Sequence, residues 1–305
     1  MSTWMITGAN GNLGKRLTGA LLADPDTRVS AVVRSERAAG AIREIELSAE
    51  AAARLQVHIV DYHNVDALRE VAQGCDKAVH LVGILKETGA ATYQDAHEDS
   101  CTALVAALNG TPVSHLTYMS IVGSTPSEEN ACLASKGRAE ALCLAGGVPC
   151  CVLRVPMVLG EGDYASFALG KRARSRRSFT FRAQSLEQPI YAGDVVQAII
   201  AAGNAGVQGA LDLGGPEVLT RRALTERAAA VLEQPAPLVI SLPVALGLSM
   251  AFAMEKLSAN PPVTTAMLGV LDHDDDIDPA AAQAALGMDA LTPLDDMLRA
   301  VLASG

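Results

Sequence analysis

Three glycines near the start of the chain have the spacing of a phosphate-binding loop. The segment Ile6-Thr7-Gly8-Ala9-Asn10-Gly11-Asn12-Leu13-Gly14 follows the apolar run Trp4-Met5-Ile6. It precedes Lys15-Arg16-Leu17-Thr18-Gly19-Ala20-Leu21-Leu22, whose apolar residues recur at helical spacing. Strand, glycine turn and helix thus stand in the order that a dinucleotide-binding fingerprint requires. Gly8 is read as the tight turn. Gly11 lets the backbone approach a pyrophosphate, and Gly14 lets helix and strand pack closely. Asn10, Asn12 and Leu13 complete the loop and are expected beside the same cofactor. The helix N-terminus then offers free N–H groups and a positive dipole end to the phosphates.

The choice between the two nicotinamide cofactors is read about twenty positions further on. A carboxylate there binds the ribose 2′-hydroxyl of NAD, whereas an arginine accommodates the 2′-phosphate of NADP. The sequence at that strand end is Val32-Val33-Arg34-Ser35-Glu36-Arg37. Arg34 can pair with a phosphate and stack on adenine. NADP(H) is therefore expected in preference to NAD(H). Asp61, at the end of the third strand, is a candidate partner for the adenine amino group.

Elements that would hold these residues alternate along the chain. Strands are expected at 29–33, 56–60, 78–82, 116–119 and 150–154, and helices at 97–108 and 135–144. This predicts an α/β Rossmann-type fold: a doubly wound parallel sheet with right-handed crossovers. Ligands of such sheets lie at the carboxyl ends of the strands. Gly83, Ser120 and Pro156 fall there and should rim one crevice. Residues 1–159 are assigned to the dinucleotide-binding domain. Residues 160–305 are assigned to a smaller substrate lobe with segments returning to the sheet, with helices at 194–202 and 220–232 and a strand at 210–213.

Composition narrows the classes. The chain has 305 residues, half of them hydrophobic and 3% aromatic, with a net charge of −10. That charge argues against nucleic-acid binding. Six cysteines without a CxxC pair, and no leader before the glycine motif, imply a reducing, cytoplasmic setting. No metal site is expected. Residues 235–254 carry no charge, about the length of a bilayer span. Pro243 divides them into a short strand at 238–241 and a helix to about Leu257, read as buried or interfacial. Lys171, Arg172, Arg174, Arg176, Arg177 and Arg182 form a basic cluster. It is read as a solvated helix end, or alternatively as a flap or a peripheral surface for an anionic membrane at its inner face or for an acidic protein. The acidic run at 272–278 is read as a solvated loop. Oligomeric state is left open.

The glycine motif, with Ser120 after the fifth strand and Lys136 on the next helix, resembles the extended and atypical short-chain dehydrogenase/reductases. The segments Val82-Gly83-Ile84, Arg154-Val155-Pro156, Gln188-Pro189-Ile190-Tyr191-Ala192-Gly193-Asp194 and Leu213-Gly214-Gly215-Pro216-Glu217 resemble the atypical branch. That branch includes the nucleotide-binding accessory subunit of respiratory complex I (the alpha-subcomplex subunit nine family), alongside NAD-dependent epimerases and dehydratases. The resemblance implies a Ser, Tyr, Lys site with tyrosine four residues before lysine, so that both face the nicotinamide. Here the corresponding residues are Ser120, Cys132 and Lys136. The usual acid is missing. A thiol near Lys136 would lean toward thiolate, which donates no proton. Tyr164 and Tyr191 are the candidate substitutes.

Three functions remain open on these residues. One is an NADPH-dependent oxidoreductase for a small hydrophobic acceptor such as a quinone, which needs no tyrosine acid. Another is a non-catalytic NADPH-binding sensor or assembly protein. The third is a sugar-nucleotide epimerase or dehydratase, against which Cys132 counts most.

Overall fold

The computed structural model describes residues 1–89, 91–258, 261, 264–270 and 273–303. In chain order the first half contains β1 (Ser2–Thr7), α1 (Asn12–Ala23), β2 (Thr27–Val33), α2 (Glu36–Arg43), α3 (Ala49–Ala52), β3 (Leu55–Ile59), α4 (Val65–Ala72) and β4 (Lys77–His80). It continues with a π-helical turn (Gln94–Asp99), α5 (Ser100–Leu108), β5 (His115–Ile121), α6 (Ala131–Leu144) and β6 (Cys150–Val155). The second half holds β7 (Val158–Leu159), α7 (Tyr164–Ala173), β8 (Arg177–Phe181), β9 (Leu186–Glu187), β10 (Ile190–Tyr191), α8 (Ala192–Ala205), β11 (Gly209–Asp212) and β12 (Leu219–Thr220). Then come α9 (Arg221–Val231), β13 (Leu238–Leu242), α10 (Val244–Leu257), α11 (Thr265–Val270), α12 (Ala280–Leu286) and α13 (Leu294–Leu302).

Seven parallel strands form the central sheet in the order β11-β6-β5-β4-β1-β2-β3. The order reverses between β1 and β4, and a crevice at that switch point is where a doubly wound sheet binds its ligand. Both faces are covered, so the strands read as continuous apolar runs. Val29, Ala31, Val33, Val79 and Leu153 are fully buried on one side, Met5, Val32, Tyr118 and Val152 on the other. The second half does return to the sheet. β11 extends the sheet beside β6, and α8 packs on α1 and over β1, where a Cβ on Gly203 would stand 2.4 Å from the Trp4 ring. A separate core joins α7, α9 and α13 through Leu169, Leu224, Ala228, Met297 and Leu298.

Several boundaries differ from the sequence expectation, each for a local reason. α6 begins at Ala131 rather than Ser135, because the Asn130 side chain accepts the N–H groups of Cys132 and Leu133 as an N-cap. The expected helix at 97–108 starts three residues earlier as a π-turn, a wider winding of the kind found at functional sites. Pro243 stands just before α10, at its N-cap, and so ends β13 and opens the helix as expected.

α10 buries only Gly247 and Ala251, while Leu246, Met250 and Phe252 are about half exposed. Among the described residues no helix is long and apolar enough to cross a membrane. The acidic run is a loop with Asp274, Asp276 and Asp278 exposed, as expected, but it is anchored to the fold. Asp272 lies outside the described residues, but Asp274 accepts from Ser185 Oγ (2.6 Å) and Leu186 N (2.9 Å). Asp275 is buried beside His273.

Candidate functional site

The glycine loop is built as its spacing requires. Gly8 has φ +74°, and a Cβ there would meet the Leu81 carbonyl carbon at 3.0 Å. A Cβ on Gly14 would stand 2.5 Å from the Ala9 carbonyl oxygen. Both positions therefore exclude other side chains. Gly11 precedes α1 without a side-chain cap, and the first turn carries no acid, so its N–H groups face the crevice uncompensated.

Gly8, Asn10, Gly11, Arg34, Tyr62, Val82 and Gly83 line a cavity of about 290 Å³ at the switch point. Arg34 is exposed on its wall and has no hydrogen-bond or ion-pair partner among the described residues. The Gly8 N–H donates to Tyr62 Oη (3.1 Å), which donates on to Val32 O. Burial pushes the Tyr62 phenol up, opposed by the Gly8 N–H and the Arg34 charge. Tyr62 and His63 line the crevice at this strand end, with Asp61 exposed next to them. The exposed Asp61 carboxylate is engaged with His63 at 3.2 Å. Asn12 opens onto a different hollow, of about 420 Å³, with Tyr164 and Phe167. Leu13 packs into the core, and Pro156 is buried after β6.

The second half of the site sits on α6, where every fourth residue faces inward. Cys132, Lys136 and Glu140 form that stripe, all buried. Lys136 Nζ donates to Met119 O (2.9 Å), lies 4.7 Å from the centre of the Tyr118 ring, and reaches Gly83, where a Cβ would stand 3.0 Å from it. Burial lowers its pKa, opposed by the nearby thiols and by Glu140. Glu140 accepts from the Ser120 hydroxyl and from Arg154 Nη2 (2.6 Å). Ser120 is 3% exposed, and its hydroxyl is taken up by this carboxylate rather than offered to the crevice.

Cys132 does not lean toward thiolate. Burial pushes it up to about 11, against the opposing charge of Lys136. Its Sγ faces Ile84 O at 3.7 Å. The substitute acids read from the sequence lie elsewhere: Tyr164 is 81% exposed, and Tyr191 donates to Glu161 at 2.5 Å and is pushed up to about 12 by that bond. The tyrosine that does adjoin Cys132 is Tyr93, in the loop before the π-turn. Its hydroxyl donates to Leu85 O (2.9 Å), and burial raises its pKa. Tyr93 stacks on His97 at 5.6 Å. His97 Nε2 accepts the Ile84 N–H (3.1 Å), and burial with the Lys136 charge pushes the ring down to about 3. Tyr93 and His97 carry no sequence signal, because only the fold brings that loop onto α6. A buried polar chain is equally silent in sequence: Thr7 Oγ1 meets His80 Nδ1 (2.6 Å), and His80 Nε2 meets Ser100 Oγ (3.2 Å). At the crevice edge His63, Asp95 and Asp99 place ligand atoms within 4.8 Å of one another, but they lie at the surface.

A nicotinamide dinucleotide fits these residues. The glycine cradle admits a pyrophosphate, Arg34 is exposed on the crevice wall, and Lys136 lies under Gly83 with N–H donors beyond the one given to Met119. Comparison with known proteins agrees. Residues 8–175, more than half of the chain, match the NAD(P)H-binding family. A stretch of 164 residues is 26% identical to the ceramide reductase of Caulobacter vibrioides, spanning 54% of this chain and 49% of that protein. Among solved structures, the chain superposes on gox2253 with a TM-score of 0.74 at 17% identity, covering 100% of this chain and 98% of that one. It superposes on the UDP-glucuronic acid 4-epimerase of Bacillus cereus with NAD at 0.71 and 18% identity, covering 99% and 98%. These likenesses are of fold. By the match over residues 8–175, the chain belongs to the NAD(P)H-binding family.

Proposed function

We propose that the protein is an NADPH-dependent oxidoreductase acting on a hydrophobic acceptor such as a quinone. The observation that carries this reading is the stripe on α6. Lys136 stands where it can hold the nicotinamide ribose, while the position four residues earlier holds a buried, protonated thiol. S–H is a weak donor, and Ser120 is committed to Glu140. Carbonyl reduction needs a proton donor at the oxygen as hydride arrives. A quinone does not, because its reduced oxygens take protons from water. A bound reduced nicotinamide supplies the hydride. Lys136 orients the ribose, the glycine loop fixes the pyrophosphate, and Arg34 selects the 2′-phosphate. Likeness to a ceramide reductase supports a reductase with an apolar substrate. The half-exposed apolar side chains of α10 suit peripheral contact with a membrane, and the exposed Arg176 and Arg177 add positive charge to the same lobe.

The test is oxidation of NADPH and NADH by purified protein against panels of quinones and of aldehydes and ketones. Quinone-dependent oxidation is expected. Tight NADPH binding without turnover on any acceptor would favour the non-catalytic reading, for which the commitment of the Ser120 hydroxyl to Glu140 is the supporting observation.

A further inference from the structure

Two neighbouring elements of the second half carry exposed apolar side chains. α10 buries Gly247 and Ala251 and turns Leu246, Met250, Phe252 and Leu257 outward, the last 88% exposed. On β8 the side chains alternate. Ser178 and Thr180 are buried, while Arg177, Phe179 and Phe181 lie on the other face. α10 sits on this face, since a Cβ on Gly247 would stand 2.6 Å from the Phe181 ring. Phe179, one step back along the strand, is 60% exposed, and Arg177 follows it. β13 pairs with β8 in parallel and sets the exposed Leu238 beside Arg177. The uncovered end of this ribbon and the outer side of α10 are thus turned the same way, away from Ser178 and Thr180.

Charge follows the same surface. Residues 164–186 include Lys171, Arg174, Arg176 and Arg177, all exposed, and no Asp or Glu. Residues 235–254 carry no charge at all. This local sign opposes the net charge of −10. Charges are screened within about 8 Å at physiological salt, so a docking surface meets the local charge rather than the net one. Apolar side chains bordered by arginines fit the headgroup boundary of a bilayer: the first enter its acyl edge, the second meet lipid phosphates. A second copy of this chain fits less well, because a two-fold contact would bring the same arginines together.

We propose that α10 and the uncovered end of the β8–β13 ribbon dock on a bilayer that contains anionic phospholipid. This deepens the peripheral contact proposed above and rests on that part of the reading. Vesicle binding is read without cofactor or acceptor, so it stands or falls apart from the redox reading. α10 is tied to α11 through Glu255, which accepts the Thr265 N–H (2.7 Å). α11 in turn packs on the cluster of Tyr93 and Cys132 through Ala266 and Val270. Docking holds that end of the candidate site one helix away from the bilayer.

Flotation of the full chain with vesicles of phosphatidylcholine, alone or equimolar with phosphatidylglycerol, tests it. At low salt the anionic vesicles should bind about tenfold more tightly or better, although the chain is itself acidic. Arg176→Gln with Arg177→Gln should lose about tenfold or more on the anionic vesicles. Leu246→Glu with Met250→Glu should abolish binding to both kinds and leave NADPH affinity unchanged. No binding to anionic vesicles, equal binding to the two kinds, or unaltered binding in either double variant would each overturn the proposal. Self-association that Leu246→Glu with Met250→Glu dissolves, without vesicle binding, would assign the face to a second copy instead. Should that double variant fail to fold, Leu257→Glu, at the most exposed apolar side chain of α10, must weaken vesicle binding. Unchanged binding there overturns the proposal equally.

Discussion

A Cβ on residue 83 would stand 3.0 Å from Lys136 Nζ, so the glycine at the mouth of the crevice and the lysine of α6 share one space. With no side chain at residue 83, the backbone after β4 passes closely over the ammonium. Gly83→Ala should therefore leave folding intact, since the clashing atom ends a flexible side chain, but displace Lys136. A several-fold loss of NAD(P)H affinity is expected, and Lys136→Ala should lose about tenfold, the effect of one charge-assisted hydrogen bond. Fluorescence titration checks both. Unchanged affinity in Lys136→Ala would remove the lysine from the cofactor site.

Arg34 bears on cofactor choice. A charge-assisted pair with a 2′-phosphate contributes about 1.5–3 kcal/mol. NADPH should bind more tightly than NADH, and Arg34→Ala should reduce the preference by an order of magnitude or more. Equal affinities in the unmutated protein would refute the assignment.

His97 ties stability to acid. In the folded chain it stays neutral to about pH 3, whereas its ordinary value is 6.5. Between those values the unfolded chain binds the extra proton, so this contribution is present above pH 6.5 and is lost as pH falls toward 3. From pH 7 to 4 the loss should be about 3 kcal/mol. Urea unfolding of wild type and His97→Gln across that window should show a shallower acid limb in the variant. Parallel limbs would contradict the buried neutral ring.

Ser120 acts through Glu140 rather than at the crevice. Ser120→Ala should cost about 1–3 kcal/mol, the loss of a buried hydrogen bond to a charged group, and leave NADPH affinity unchanged. Thermal unfolding and titration on the same variant separate the two roles. A stable Ser120→Ala with impaired cofactor binding would return the serine to the crevice.

The glycine loop, the alternation of strands and helices and the returning strand β11 were all legible in the residues, because close backbone approach and apolar periodicity are local signals. So was the stripe of Cys132 and Lys136, which follows from helical spacing. The thiol's protonation was not. Proximity of Lys136 in sequence suggests thiolate, but the burial that reverses this comes from Tyr93, Ile84 and α11, far along the chain. Asp61 and Tyr62 show the limit of motif reading: both end the same strand, and only packing decides that the phenol, not the carboxylate, meets Gly8. The anchoring of the exposed acidic run was hidden for the same reason, since the partners of Asp274, Ser185 and Leu186, lie nearly ninety residues away.

The most direct measurement is the anaerobic stoichiometry of NADPH oxidised to short-chain benzoquinone reduced, for wild type and Cys132→Ser. One hydroquinone per NADPH, at nearly the same rate in both proteins, is the predicted result, because the thiol stays protonated and outside the chemistry. NADPH bound but never oxidised would contradict the redox reading, and turnover abolished in Cys132→Ser would make the thiol a catalytic group.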